Sequence, residues 1–230
     1  MRALLLAAGF GTRLRPITDR VPKCLVPIHG KPLLGYWLDL LLNNGVERTL
    51  VNTHYLPDAV RQFVADSPWR DSIDLVYEDT LLGTGGTVLA NREFFSDEPF
   101  MVAHADNLTR FDASAFISAH HNRPTGVEIT VMTFDTDAPQ TCGIIEQDAR
   151  GIVQRFHEKS ASPPGKRANA AVYIFEPSVL DFLGSLNKKE IDLSLEVLPH
   201  YLGRMQCFHN SDYHRDIGNI ESLRLAQLEF

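Results

Sequence analysis

The residues best suited to chemistry lie near the amino terminus, where Gly9-Phe10-Gly11-Thr12 is followed by Arg13, Arg15 and Lys23. An apolar run from Ala3 to Ala8 leads into this loop and has the character of a buried strand. Glycines let the backbone turn tightly and let a ligand approach its N–H groups with no Cβ in the way. Such N–H groups, reinforced by guanidinium and ammonium groups, suit a multiply charged anion such as a triphosphate.

Two commoner glycine loops are excluded. A Walker loop closes on Gly-Lys followed by Ser or Thr, and no such run occurs in the chain. The dinucleotide fingerprint needs a third small residue where Leu14 stands, and an acid at the end of the next strand. That strand, around Leu50 to Thr53, ends in Asn52-Thr53-His54, so an NAD-dependent oxidoreductase is excluded as well.

The run that does fit is G-x-G-T-R-L-x-P-x-T followed by P-K-x-L-x-P, spanning Gly9 to Thr18 and Pro22 to Pro27. It resembles the signature of the sugar-1-phosphate nucleotidyltransferases, which join an NTP to a sugar 1-phosphate to give an NDP-sugar and pyrophosphate. The resemblance runs from Arg2 to about Leu225. It implies a nucleotide site built on Leu6, Ala8, Gly9, Gly11 and Thr12, with Arg13 on the β- and γ-phosphates and Lys23 at the phosphate of the reacting centre. Ala105-Asp106-Asn107 and Asp216-Ile217-Gly218 resemble the family's G-D-N or A-D-N and D-I-G elements. These imply Asp106 and Asp216 as Mg²⁺ ligands, with Asn107 on the sugar-phosphate side. Leu81 to Thr87 resembles the L-G-T-A-G-A loop, which implies Gly83 and Thr84 near the base, and Glu78 lies where relatives place a base-reading side chain.

Further matches imply the sugar-phosphate site. Glu158-Lys159 resembles E-K-P with Ser160 in place of Pro. Asn169-Ala170-Ala171 resembles N-A-G with Ala171 in place of Gly. Gly143 takes the Y-G position with Cys142 in place of Tyr. Lys159 is implied at the incoming phosphate, and Glu158 and Asn169 at sugar hydroxyls. The implied nucleophile is a phosphate monoester, already mostly dianionic near neutral pH because its second pKa is about 6. It therefore needs no general base, only neutralised charge and in-line placement. Among relatives the loop looks most like mannose- or heptose-1-phosphate guanylyltransferases. The Leu6-Ala7-Ala8-Gly9 start also resembles N-acetylmuramate-1-phosphate uridylyltransferases. The reading is therefore GTP or UTP with a hexose- or heptose-type substrate. A phosphocholine-type cytidylyltransferase and a non-catalytic sensing module on the same fold are the alternatives.

The elements that must position these groups form an α/β pattern. Strands are expected at Arg48 to Thr53, Ile73 to Tyr77 and Phe100 to Ala105, with helices at Leu33 to Asn43 and Asp58 to Ala65. Asp106 then ends a strand, at the sheet edge where open α/β folds bind ligands. The second half reads as strands at Val127 to Phe134, Gly143 to Gln147, Ile152 to His157 and Ala171 to Phe175, with a turn at Asp148 to Gly151. Ser160 to Gly165 reads as a mobile loop, and helices near Pro177 to Leu183 and Ile220 to Leu228 complete the pattern. The expected fold is a Rossmann-like mixed, mainly parallel sheet with helices on both faces and a small strand-rich sugar-binding region. It forms one domain over 1–230, with 1–110 mainly nucleotide-binding and 111–230 mainly sugar-phosphate-binding.

Composition sets the outer bounds. A formal net charge of −7 argues against a general nucleic-acid binder, so any phosphate site is a local positive pocket. No apolar run approaches the roughly 20 residues of a membrane span, and the first residues lead into the loop without a cleavage region. Three dispersed cysteines, Cys24, Cys142 and Cys207, favour reduced thiols in a cytoplasm. His104, His120 and His121 lack the companions of a zinc site and are assigned structural or solvated roles. The resemblance further implies an enzyme of envelope polysaccharide assembly, without the left-handed β-helix of larger relatives.

Overall fold

The amino-terminal apolar run folds as the strand Arg2–Leu6 in a computed structural model that describes residues 1–230. It pairs in parallel with Arg48–Thr53, Leu6 opposite Asn52, and Arg48–Thr53 pairs in parallel with Ile73–Tyr77. Every residue from Thr49 to Thr53 is buried. Side chains enclosed on both faces are what make a parallel strand read as a continuous apolar run. The helix Leu33–Leu42 buries Leu34, Trp37, Leu38 and Leu41, the i, i+3, i+4, i+7 stripe of an amphipathic helix. Gly45 follows at a φ of 96°, the left-handed geometry that ends helices on glycine.

These strands belong to a compact unit made of Met1–Leu81, Ala103–Ala113 and Asp212–Phe230. The strand Phe100–His104 ends next to Ala105, whose N–H donates to Leu6 O at 3.0 Å, so Asp106 follows directly beyond the strand's carboxyl end. Two further short strands do not announce themselves in the sequence. Asn107–Arg110 pairs antiparallel with Tyr213–Asp216, with Asn107 opposite Asp216. The helix Ile220–Glu229 opens on Asn219, whose side chain accepts the Ser222 N–H at 2.8 Å. Leu223 and Ala226 of this helix join Leu14, Val26, Ile28, Leu108 and Ile217 in a core beneath the glycine loop.

The second unit comprises Leu82–Val102 and Ser114–Ser211. Its strands Ile129–Asp135, Gly143–Gln147, Val153–Glu158 and Arg167–Phe175 pair antiparallel, while Met205–His209 pairs parallel with Ile129–Asp135. The expected turn forms with Asp148 Oδ1 accepting from the N–H groups of Arg150 and Ile152 at 2.9 and 3.0 Å. Ser178–Ser185 is helical, as expected, and so is Gly83–Ala90, which the sequence shows only as a glycine-rich turn. No helix of the chain is long and apolar enough to cross a membrane, and all three cysteines are free thiols.

His120, fully buried, has the structural role assigned to it. Its Nδ1 lies 2.7 Å from Thr130 Oγ1 and its Nε2 lies 2.9 Å from Glu176 Oε1, which Arg123 also engages. Burial is the main cause that pushes the imidazole down from 6.5 to about 4; Glu176 opposes this, while Arg123 and His121 add to it. The unfolded chain therefore takes up this proton as pH falls below about 6.5, and the folded chain only near 4. Stability from this group is complete above about 6.5 and is lost as pH falls toward 4. The melting temperature of His120→Gln should fall less steeply than wild type between pH 7 and 4.5, and parallel curves would refute this account.

Candidate active site

Folding brings Lys23, Asp106 and Asp216 of the first unit onto one point. Lys23 Nζ donates to Asp106 Oδ2 at 2.7 Å and to Asp216 Oδ1 at 3.3 Å. The two acids meet because Asn107 and Asp216 are register partners and the Ile217 N–H donates to Asp106 O at 3.1 Å. Trp37 Nε1 donates to Asn107 O at 2.7 Å and fixes the base of this strand pair against a helix. Lys23 is buried, whereas the side chains of Asp106 and Asp216 are 36% and 56% exposed. The carboxylates are thus anchored from beneath and open to solvent above. Burial alone would push the Asp106 carboxyl up, but the Lys23 ammonium, then His104, outweigh it and hold it below the ordinary 3.8. His214, two residues before Asp216, is pushed down to about 3 by burial and is therefore neutral at physiological pH.

The glycine loop stands beside this cluster. Gly11 sits at φ 64°, and a Cβ there would lie 2.9 Å from Thr18 Cγ2 and 3.1 Å from Lys23 Cβ. Thr18, the last residue of the signature, is buried and donates its hydroxyl to Gly11 O at 2.7 Å. That threonine shapes the loop instead of facing a ligand. Arg13 projects toward the acids: a Cβ built on Gly218 would lie 3.1 Å from Arg13 Nη2 and 2.5 Å from Asp216 Oδ2. The Arg13 guanidinium enters no ion pair, whereas Arg15 pairs with Asp19 at 3.2 Å on the surface. Thr12 opens a short 3₁₀ turn, and Leu6, Ala8 and Gly9 lead from the strand into the loop. Cys24, inside the signature, is buried and its thiol is pushed up to about 12, which leaves it without nucleophilic character.

Glu78 also belongs to the first unit but is buried, and its Oε1 accepts from Asn52 Nδ2 at 2.9 Å. Gly83 and Thr84 lie in the second unit, in a helix start packed against the segment Lys189–Leu193. Gly85 and Gly86 donate their N–H groups to Ile191 O at 2.8 and 3.3 Å. A Cβ on Gly86 would come within 2.2 Å of Lys189 O. Thr84 Oγ1 accepts the Leu193 N–H at 2.8 Å. The N–H groups and close approach of Gly85 and Gly86 therefore serve internal packing and are not open to a base edge.

In the second unit Gly143 pairs with Glu158 across two antiparallel strands. Lys159 follows at φ 47°, with its ammonium exposed and 3.5 Å from Glu158 Oε1. Asn169 Nδ2 donates to the Tyr173 hydroxyl at 2.7 Å, and its Oδ1 accepts the Ala171 N–H at 2.9 Å. Ala171 stands at φ 54°, in the left-handed region that glycine enters at less cost. Burial raises the Tyr173 phenol, which Asn169 and Ser194 engage. Sequence reading did not single out Tyr173, Asn52 or His54. Tyr173 lies four residues after Asn169 on one strand, a same-face spacing that is the signal it carries.

A family model described as nucleotidyl transferase matches residues 2–230. Mannose-1-phosphate guanylyltransferase 1 of Arabidopsis thaliana is 32% identical over 79% of this chain and 51% of its own length. The UTP–glucose-1-phosphate uridylyltransferase of Synechocystis is 29% identical over 96% of this chain and 61% of its own. The chain thus spans between half and two thirds of the length of these relatives. A Bacillus anthracis crystal structure in complex with sucrose superposes with a TM-score of 0.88 at 22% identity, covering 99% of this chain and 94% of that one, which establishes the Rossmann-like fold. HddC from Yersinia pseudotuberculosis, solved with GMP-PN, has a TM-score of 0.82 at 26% identity, over 100% of this chain and 99% of its own.

Proposed function

The chain belongs to the nucleotidyl transferase family, and from that premise we propose that it condenses a nucleoside triphosphate with a sugar 1-phosphate to give an NDP-sugar and pyrophosphate. The observation that carries this reading is the convergence of Asp106 and Asp216 on the Lys23 ammonium, with the unpaired Arg13 beside them. A phosphate oxygen of the sugar phosphate forms a new bond to the α-phosphorus, the bond from that phosphorus to the bridging oxygen breaks, and the electron pair leaves with pyrophosphate. No proton moves in the forming bond, consistent with a site whose central groups are cations and carboxylates.

The donor set suits Mg²⁺, which takes one or two carboxylates together with phosphate oxygens and water. Asp106 and Asp216 already converge on a single cation, their lysine, and keep exposed surface. They would hold the ion, which when bound neutralises triphosphate charge and screens the reacting phosphate. Arg13 binds the departing pyrophosphate and Lys23 supports the α-phosphate. The sugar-phosphate role falls to Lys159, Glu158, Asn169 and Gly143 in the second unit, and Asn107 is the candidate for it in the first. GTP is the proposed nucleotide, since guanylyltransferases and a GMP-PN complex recur among the relatives. UTP is the alternative, with a hexose- or heptose-type substrate. The proposal extends to a cytoplasmic setting and to a product consumed in assembling envelope polysaccharide.

Pyrophosphate release measured with Mg²⁺, four NTPs and a panel of sugar 1-phosphates tests this, with Asp106→Ala as the control. Release with one pair, lost in the variant, establishes the reaction and both substrates. Nucleotide binding without release across the panel would favour a sensing module instead.

A further inference from the structure

Three features beside the glycine loop have no part in the chemistry above: Asn52-Thr53-His54, the buried Glu78 carboxylate, and the exposed ring of Phe10. They form one network within the first unit. Asn52, 3% exposed, accepts the Ala7 N–H on Oδ1 at 2.7 Å and donates from Nδ2 to Glu78 Oε1 at 2.9 Å. The amide's orientation is dictated by its partners, because an N–H only donates and an ionised carboxylate only accepts. Two residues on, His54 Nδ1 lies 2.7 Å from Glu78 O, so that nitrogen carries the hydrogen. The same ring meets Phe10 edge to face, centroids 5.1 Å apart at 90°. Glu78 N–H in turn donates to Thr53 O at 2.9 Å.

Ala7 is the root of the glycine loop and Phe10 is its tip. We propose that Asn52 and His54 are positioning residues that clamp root and tip of this loop, with Glu78 as their common anchor, and thereby set its affinity for the nucleotide's phosphates. The inference rests on the nucleotidyl-transfer reading. Thr18 holds the loop at Gly11, but Gly9 and the stretch from Ala7 to Phe10 have no such tie to it, and a loop that must be ordered on binding loses affinity to that ordering. Two side chains from one strand end remove the freedom without touching the ligand. Asparagine suits the root because it offers one acceptor and one donor. A carboxylate there would keep the acceptor for Ala7 but set a second negative charge against Glu78.

The test is a polarity exchange followed by steady-state kinetics with Mg·GTP and, in parallel, Mg·UTP. Asn52→Asp should raise the nucleotide KM by about 10-fold, the size of one hydrogen bond to a charged group, with kcat little changed, since binding and not the transition state is affected. Combining Asn52→Asp with Glu78→Gln restores a donor opposite an acceptor and should bring KM back to within about 3-fold of wild type, about half of one such bond. A purely structural role predicts lowered melting temperature with unchanged KM, or stability rescued by the double substitution without KM, and either result overturns the proposal. Should Asn52→Asp fail to fold, His54→Ala, at a half-buried position, carries the test: a raised KM supports the clamp and an unchanged one refutes it. Should the wild type turn over no substrate, the transfer reading has failed separately, and the same variants are read as Kd for Mg·GTP. Absence of any nucleotide binding by wild type refutes both.

Discussion

Arg13→Ala is expected to lower kcat by about 100- to 1,000-fold, the usual cost of removing one preorganised donor from a developing negative charge. The guanidinium lies beside Asp216 and Gly218 but enters no ion pair, so its donors are available to an anion. Its placement is inherited from the loop, because Gly11 occupies a left-handed conformation that Thr18 fixes through a hydrogen bond to Gly11 O. A group that binds leaving pyrophosphate acts most strongly as charge builds on that oxygen, so the loss falls on kcat more than on the nucleotide KM. Arg13→Lys keeps the charge but lacks the planar fork that grips two phosphate oxygens, and should recover only part of the rate. The melting temperature should barely move in either variant, since no protein partner is lost. Pyrophosphate release at saturating nucleotide is the measurement, and an undiminished kcat would remove Arg13 from the leaving-group role.

Legibility varied with the range of the interactions. Arg2–Leu6 and Phe100–His104 were legible because Ala3 to Leu5 and Phe100 to Ala103 are unbroken runs of buried apolar side chains, where apolarity has no competitor. The turn at Asp148 was legible because its hydrogen bonds lie within five residues of sequence, Asp148 to Ile152. The strand pair Asn107–Arg110 with Tyr213–Asp216 was not, since Asn-Leu-Thr-Arg and Tyr-His-Arg-Asp are largely polar and lie far apart in the chain. Yet that pairing is what carries Asp216 to Asp106. Resemblance named both acids, and spacing alone gave no reason for them to meet. Gly85 and Gly86 show the converse: the motif was visible, but the reason for glycine is the Ile191 side chain against Gly85 and the Lys189 carbonyl against Gly86, which local sequence cannot reveal. Asn52 was read only as the missing acid of another fold, because its partners, Ala7 and Glu78, lie on two different neighbouring strands' ends.

The Lys23 ammonium bears on two readouts, stability and the proposed turnover, that a single substitution would confound. Lys23→Met preserves length and removes the charge, leaving Asp106 and Asp216 facing each other without their counter-ion. Breaking a fully buried pair in this way costs about 3–5 kcal/mol. Here both carboxylates keep access to water, so the loss should be nearer ~1–2 kcal/mol. Turnover should fall by about 100-fold or more, as for other preorganised donors. The two effects separate in Lys23→Met combined with Asp106→Asn, which removes one of the opposed charges. Thermal stability should return toward wild type while pyrophosphate release stays lost, because neither the ammonium nor the carboxylate proposed to hold the metal is restored. Recovery of both together would mean that neither the Lys23 charge nor the Asp106 carboxylate is needed for turnover. Recovery of neither would place its main partners elsewhere than the two carboxylates it touches.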